Sequence, residues 1–157
     1  MLRWWMVILP DSASRFFFFA ITQIMLRLII ADDHPAVLQA ISQLLQEEFP
    51  SAYIEEATET KTLLDKVLTQ SWDLVISDLA MPGESGFVVL RKIKQAKKNL
   101  PVIIVSSYPP EQYMVRSLRA GANDFVAKDS LPGGLIDAIR KTLNLEKWDG
   151  NWMPCKH

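Results

Sequence analysis

The sequence predicts an α/β fold, a doubly wound sheet of five parallel strands in the order 2-1-3-4-5. Three observations carry this expectation. Short apolar runs alternate with longer segments whose apolar residues recur at intervals of three and four. Four of the five runs are almost continuously apolar, as in strands covered on both faces. The segments between them are long enough for right-handed crossovers, and for five strand-helix units in about 120 residues the order 2-1-3-4-5 is the most economical.

The elements follow in order from Met25. The first strand is "LRLIIA", residues 26–31, and Pro35 suits the first turn of the helix after it, where a missing N–H costs nothing. That helix carries the stripe Val37, Leu38, Ile41, Leu44, Leu45 and Phe49. "AYIEEAT", residues 52–58, is the second strand, and Leu63, Leu64, Val67 and Leu68 mark the second helix. "DLVIS", residues 73–77, runs straight into Asp78, after which Met81, Pro82 and Gly83 turn the chain away. Phe87, Leu90 and Ile93 form the third stripe, and "PVIIVS", residues 101–106, is the fourth strand. Gly121 after "VRSLRA" suits a helix stop, "DFVA" at 124–127 is the fifth strand, and Pro132 suits the first turn of a helix striped by Leu135, Ile136, Ile139 and Leu143.

Length and charge exclude several classes of function. A chain of 157 residues makes about one domain that buries roughly two thirds of its surface. With 17 basic and 18 acidic side chains there is no positive excess to hold a polyanion, so direct contact with nucleic acid is not expected. Cys155 is the only cysteine, which rules out an internal disulfide or a zinc spacing and fits a reducing cytoplasm.

Residues 1–24 differ from the rest in being strongly apolar and aromatic. Their longest apolar run, Phe16 to Met25, is interrupted by Gln23 and stops at Arg27, short of the ~20 residues a spanning helix needs. Pro10, Asp11 and Ser12 break the pattern of a secretory signal. The expectation is an extension outside the functional fold with Met25 as the natural start; a segment packed on the domain and a membrane-surface anchor are the alternatives. The remainder divides into a domain at 25–145 and a linker-like tail at 146–157.

At the switch point of a 2-1-3-4-5 sheet, ligands bind at the carboxyl ends of the strands. Those ends carry Asp32 and Asp33, then Asp78, then Ser106 and Ser107, and finally Lys128. Any one of them is more often a turn former or a cap. Chance would rarely gather three carboxylates, a hydroxyl and an ammonium at the one place where topology predicts a ligand. Three neighbouring carboxylates repel unless a cation sits among them, and an all-oxygen set with room for water suits Mg²⁺ better than a calcium cage. His34 reads as a loop residue rather than a ligand, and Lys92, Lys94, Lys97 and Lys98 as a solvated helix face.

Over residues 25 to 145 the sequence resembles the receiver domain of bacterial response regulators, on a flavodoxin-like fold. The motifs that carry the resemblance are the acidic pair in "IIADDHP", the aspartate in "VISDLAMPGESG", the hydroxyl in "VIIVSSYP" and the lysine in "GANDFVAKD", with spacings similar to the LuxR-type branch. The resemblance implies that Asp78 accepts a phosphoryl group from a sensor histidine kinase or phosphotransfer protein. It implies that Asp32, Asp33, Asp78 and the backbone carbonyl of Ala80 hold Mg²⁺, and that Lys128 pairs with the phosphoryl oxygens. Ser106 and Phe125 would form the switch, which controls the surface of residues 110 to 144, and a second receiver is a further implied partner. With no spanning helix expected in the sequence, contact with a membrane is not expected of this chain. LuxR-type regulators continue into a DNA-binding helix-turn-helix, and "WDGNWMPCKH" resembles the start of that linker; loss of the output domain and a stand-alone receiver both fit.

Two rivals from other classes fare worse. A haloacid-dehalogenase-type phosphatase needs an acid two residues after its nucleophile to protonate the leaving group, and Ala80 cannot serve. A flavin-binding domain would want a hydroxyl-rich phosphate loop after the first strand, where "ADDHPAV" presents negative charge instead.

Overall fold

The computed structural model describes residues 25–148 and 151–154. The elements run β1 (Arg27–Ala31), α1 (Pro35–Glu48), β2 (Tyr53–Ala57), α2 (Thr60–Thr69), β3 (Leu74–Ser77), α3 (Gly86–Ala96), β4 (Val102–Ser106), α4 (Pro110–Arg119), β5 (Asp124–Ala127) and α5 (Gly133–Leu143). β1 to β5 form one parallel sheet in the order β2-β1-β3-β4-β5, as the sequence predicts. The expectations for residues 1–24 fall outside the described residues.

Alternation along each strand splits the core into two layers. Ile29, Val75, Val102, Ile104 and Phe125 face one side, where Leu63, Val67, Phe87, Leu90 and Ile93 of α2 and α3 cover them. Leu28, Ile30, Leu74, Ile76, Ile103, Val105 and Val126 face the other, under Leu38, Ile41 and Leu45 of α1 and Leu135, Ile136 and Ile139 of α5. β1, β3 and β4 are central and read as unbroken apolar runs because both faces are covered. β2 is an edge strand, and there Glu55 and Glu56 are tolerated.

α4 is seated differently. Ser117 is its one fully buried residue, while Met114, Val115 and Leu118 are exposed. Its end is a Schellman motif: Gly121 N–H donates to the Leu118 carbonyl and Ala122 N–H to that of Ser117, with Gly121 at φ 110°. Pro35 occupies the start of α1 as expected. Pro132 stands one place outside α5, at its N-cap, rather than in the first turn.

One expectation is corrected here. Lys94 of α3 and Lys97 at its C-cap are half-buried anchors, not parts of a solvated face. Lys94 Nζ donates to the Leu100 carbonyl (2.6 Å) and Asn123 Oδ1 (3.1 Å), and burial lowers its pKa, while Lys97 Nζ donates to the Gln70 carbonyl (2.5 Å). Their long stems let the ammonium groups reach under the end of the helix. Within the tail, β6 (Leu145–Trp148) and β7 (Asn151–Pro154) pair antiparallel, with Leu145 opposite Pro154 and Trp148 opposite Asn151. Leu145 joins the α5 side of the core.

Candidate phosphoacceptor and metal site

The site is assembled by backbone continuity at the sheet's carboxyl edge. Asp32 follows β1 and donates its N–H to the Ala57 carbonyl, and Asp78 follows β3 and donates to that of Ala31. Each N–H extends the parallel ladder by one rung, so both aspartates leave the sheet on rigid backbone. Both side chains are buried, at 2% and 4% exposure. Asp33, one residue on, is 32% exposed at the rim.

Both oxygens of Asp32 and both of Asp78 are engaged. Lys128, directly after β5, places Nζ 2.5 Å from Asp32 Oδ2 and 2.8 Å from Asp78 Oδ2. Burial opposes its charge, but the hydrogen bonds to Asp32 and Asp78 outweigh that and raise its pKa above the ordinary 10.5. Asp78 Oδ1 accepts from the Ala80 N–H at 3.1 Å. Asp32 Oδ1 accepts from the N–H of His34 (2.8 Å) and from its Nδ1 (3.0 Å). Asp33 Oδ1 is buried and makes no hydrogen bond, although His34 Nδ1 lies 3.0 Å away.

Asp32, Asp33, His34 and Asp78 each offer a ligand atom, all within 4.8 Å of one another. The orphaned Asp33 oxygen and the hard, all-carboxylate donors of the three aspartates fit Mg²⁺. His34 is the member that sequence reasoning set aside: its side chain is 64% exposed, yet its Nδ1 faces both acids. The signal was adjacency in "DDH", but the ring's direction depends on how the loop turns into α1.

Ser106 ends β4 and pairs with Ala127, the residue before Lys128, so hydroxyl and ammonium leave adjacent strands together. Its Oγ, 1% exposed, accepts from the Tyr108 N–H at 3.2 Å. The Tyr108 ring stacks on Tyr113 of α4 (4.5 Å), Tyr113 on Phe87 of α3 (6.3 Å), and the Arg116 guanidinium caps Phe87 at 4.1 Å. Phe125 is buried in the α2 and α3 layer. The structure thus places Lys128 on Asp32 and Asp78 with Asp33 within 4.8 Å of both acids, sets Ser106 on the strand next to Lys128, and buries Phe125 in the core.

A family model described as the response regulator receiver domain matches residues 28–140. The Fimbriae Z protein of Salmonella typhimurium is 32% identical over 116 residues, covering 74% of this chain and 55% of that protein. The oxygen regulatory protein NreC of Staphylococcus carnosus is 31% identical over 116 residues, covering 73% of this chain and 54% of its own length. The chain therefore spans about half the length of the curated relatives it matches. Among solved structures, the response regulator TrrA of Thermotoga maritima in complex with Mg²⁺-BeF is 31% identical with a TM-score of 0.68, covering 76% of this chain and 100% of that one. A LuxR-family response regulator from Aurantimonas is 26% identical with a TM-score of 0.69, covering 74% of this chain and 84% of that one. The motifs at the strand ends, the strand order and these matches agree: the chain belongs to the response regulator receiver domain family of two-component signalling.

Proposed function

We propose that this chain is a Mg²⁺-assisted phosphoacceptor, with Asp78 as the residue phosphorylated by a sensor histidine kinase or phosphotransfer protein. The observation that carries the reading is the placement of Asp78 Oδ2 on Lys128 Nζ beside Asp32 and Asp33, at the end of a central strand. Asp32, Asp33, Asp78 and the Ala80 carbonyl would hold the metal, which when bound neutralises charge on the incoming phosphoryl oxygens. An oxygen of the Asp78 carboxylate forms a bond to phosphorus as the phosphorus–nitrogen bond to the donor imidazole breaks, and the imidazole leaves with the electron pair and takes up a proton. Lys128 stabilises the equatorial oxygens, and rigid backbone holds Asp78 in line. The Ser106 hydroxyl then donates to the new dianion, and Phe125 fills the space behind it.

In a longer protein of the kind the relatives represent, this switch would control transcription through a LuxR-type helix-turn-helix, in the cytoplasm. Among the described residues no helix is long and apolar enough to cross a membrane. Acetyl phosphate with Mg²⁺ should add one hydroxylamine-sensitive phosphoryl group by intact mass, and Asp78→Asn should abolish it. Asn keeps the shape and removes the nucleophilic charge, so labelling of the variant at the parental level refutes the assignment.

A further inference from the structure

The loop that follows Asp78 is fastened at two points. Its neck closes where Gly86 meets Leu79: a Cβ on Gly86 would lie 2.6 Å from the Leu79 carbonyl oxygen and 2.7 Å from its Cα, so only glycine allows this approach. Its tip is held from a distant part of the chain. Thr60, the first residue of α2, is 1% exposed. Its N–H donates to the Pro82 carbonyl at 3.1 Å, its hydroxyl donates to the same oxygen at 3.2 Å, and that hydroxyl accepts from the Glu84 N–H at 3.0 Å. Between the bonded residues, Gly83 turns with φ 107°, and a Cβ there would stand 2.3 Å from Thr60 Oγ1.

This contact replaces an ordinary cap. Glu59, at the N-cap of α2, makes no side-chain capping bond, so the loop carbonyl satisfies one of the helix's unpaired first-turn N–H groups. The loop's other side-chain ties are the Ala80 N–H to Asp78 Oδ1 bond at 3.1 Å, which fixes the start of the loop and leaves its tip free, and the Glu84–Lys92 pair, with both side chains nearly half exposed, a kind of pair that contributes little. Ala80 lies between neck and tip.

We propose that Thr60 is a positioning residue for phosphoryl acceptance, its hydroxyl stapling the loop after Asp78 so that the Ala80 carbonyl is aimed into the acid cluster. The inference rests on the phosphoacceptor reading above. A hydroxyl is required because one atom must both donate and accept. Serine can replace it, and valine cannot.

The test compares the 157-residue chain with its Thr60→Val and Thr60→Ser forms, measuring Glu84 amide exchange, Mg²⁺ affinity by NMR titration and the acetyl phosphate labelling rate. Thr60→Val should speed Glu84 exchange and weaken Mg²⁺ binding and labelling by about five-fold, the scale of one lost hydrogen bond, and Thr60→Ser should restore all three. Thr60→Ala, which adds no bulk, repeats the comparison if the valine form does not fold. Faster Glu84 exchange with unchanged Mg²⁺ affinity and labelling overturns the inference, as does failure of serine to rescue. A parent chain that neither binds Mg²⁺ nor accepts phosphate overturns instead the reading on which it rests.

Discussion

Replacing Lys128 by methionine keeps most of the buried stem and removes only the ammonium. Nζ stands 2.5 Å from Asp32 Oδ2 and 2.8 Å from Asp78 Oδ2, and the three side chains are 13%, 2% and 4% exposed. At an effective dielectric of about 20, each contact is worth about 6 kcal/mol of gross Coulomb attraction. Desolvation and the ordering of a long side chain offset most of this, and removing one partner of such a buried set costs about 3–5 kcal/mol net, because the carboxylates are left facing each other. With an m-value of about 2 kcal/mol per molar urea for a domain of this size, the midpoint of Lys128→Met in EDTA should fall by about 2 M. Mg²⁺ should recover much of the loss, since ligand at a hundred times Kd adds about 2.7 kcal/mol and the variant lacks the competing cation. Mg²⁺ affinity should therefore rise while the phosphorylation rate drops. Urea melts with and without Mg²⁺ decide the matter: a variant as stable as its parent in EDTA refutes the claim that Lys128 holds the acids together.

The same ammonium predicts a pH dependence. Its pKa is raised in the folded chain, so its contribution is fully present below the unfolded value of about 10.5 and is lost as pH rises through the folded value; the stability gap between parent and Lys128→Met should be flat to about pH 10 and narrow above it. A gap that narrows between pH 6 and pH 9 would point to another group. α4, with Ser117 as its one fully buried residue, should show faster amide exchange than α3, and Ser106→Ala, which removes the acceptor of the Tyr108 N–H, should speed it further. Equal protection of α4 and α3 by hydrogen exchange mass spectrometry would contradict this.

The fold was legible where burial is symmetric. β1, β3 and β4 are covered on both faces, so each reads as an apolar run whatever the details of packing, and the helices that cover them carry stripes for the same reason. α4 gave no stripe because it has little to bury: Met114, Val115 and Leu118 lie in solvent, and the chain announced only its end, through Gly121. Lys94 and Lys97 misled because residue type fixes where a charge prefers to be but not where a flexible stem of four methylenes ends. The pairing of β6 with β7 depends on which way two short segments fold back, and the run "LEKWDGNWMP", which does not alternate, resembles a linker as much as a hairpin.

At the site the division follows from the same physics. Asp32, Asp78, Ser106 and Lys128 stand at or next to strand ends, so strand order alone brings them together; once 2-1-3-4-5 is inferred, the ring of acids, hydroxyl and ammonium follows without knowledge of any loop. His34 and Thr60 act through loop paths. His34 faces Asp32 and Asp33 only because the chain turns back before Pro35, and Thr60 meets Pro82 and Glu84 across 22 and 24 residues of sequence. No periodicity encodes such contacts. On the proposed reading, the rigid sheet edge would fix which groups meet a phosphoryl donor, while the bonds that hold the surrounding loops, least visible in the sequence, would set how well those groups are aimed. A substitution at Asp78 should thus remove the chemistry outright, whereas one at Thr60 should grade it.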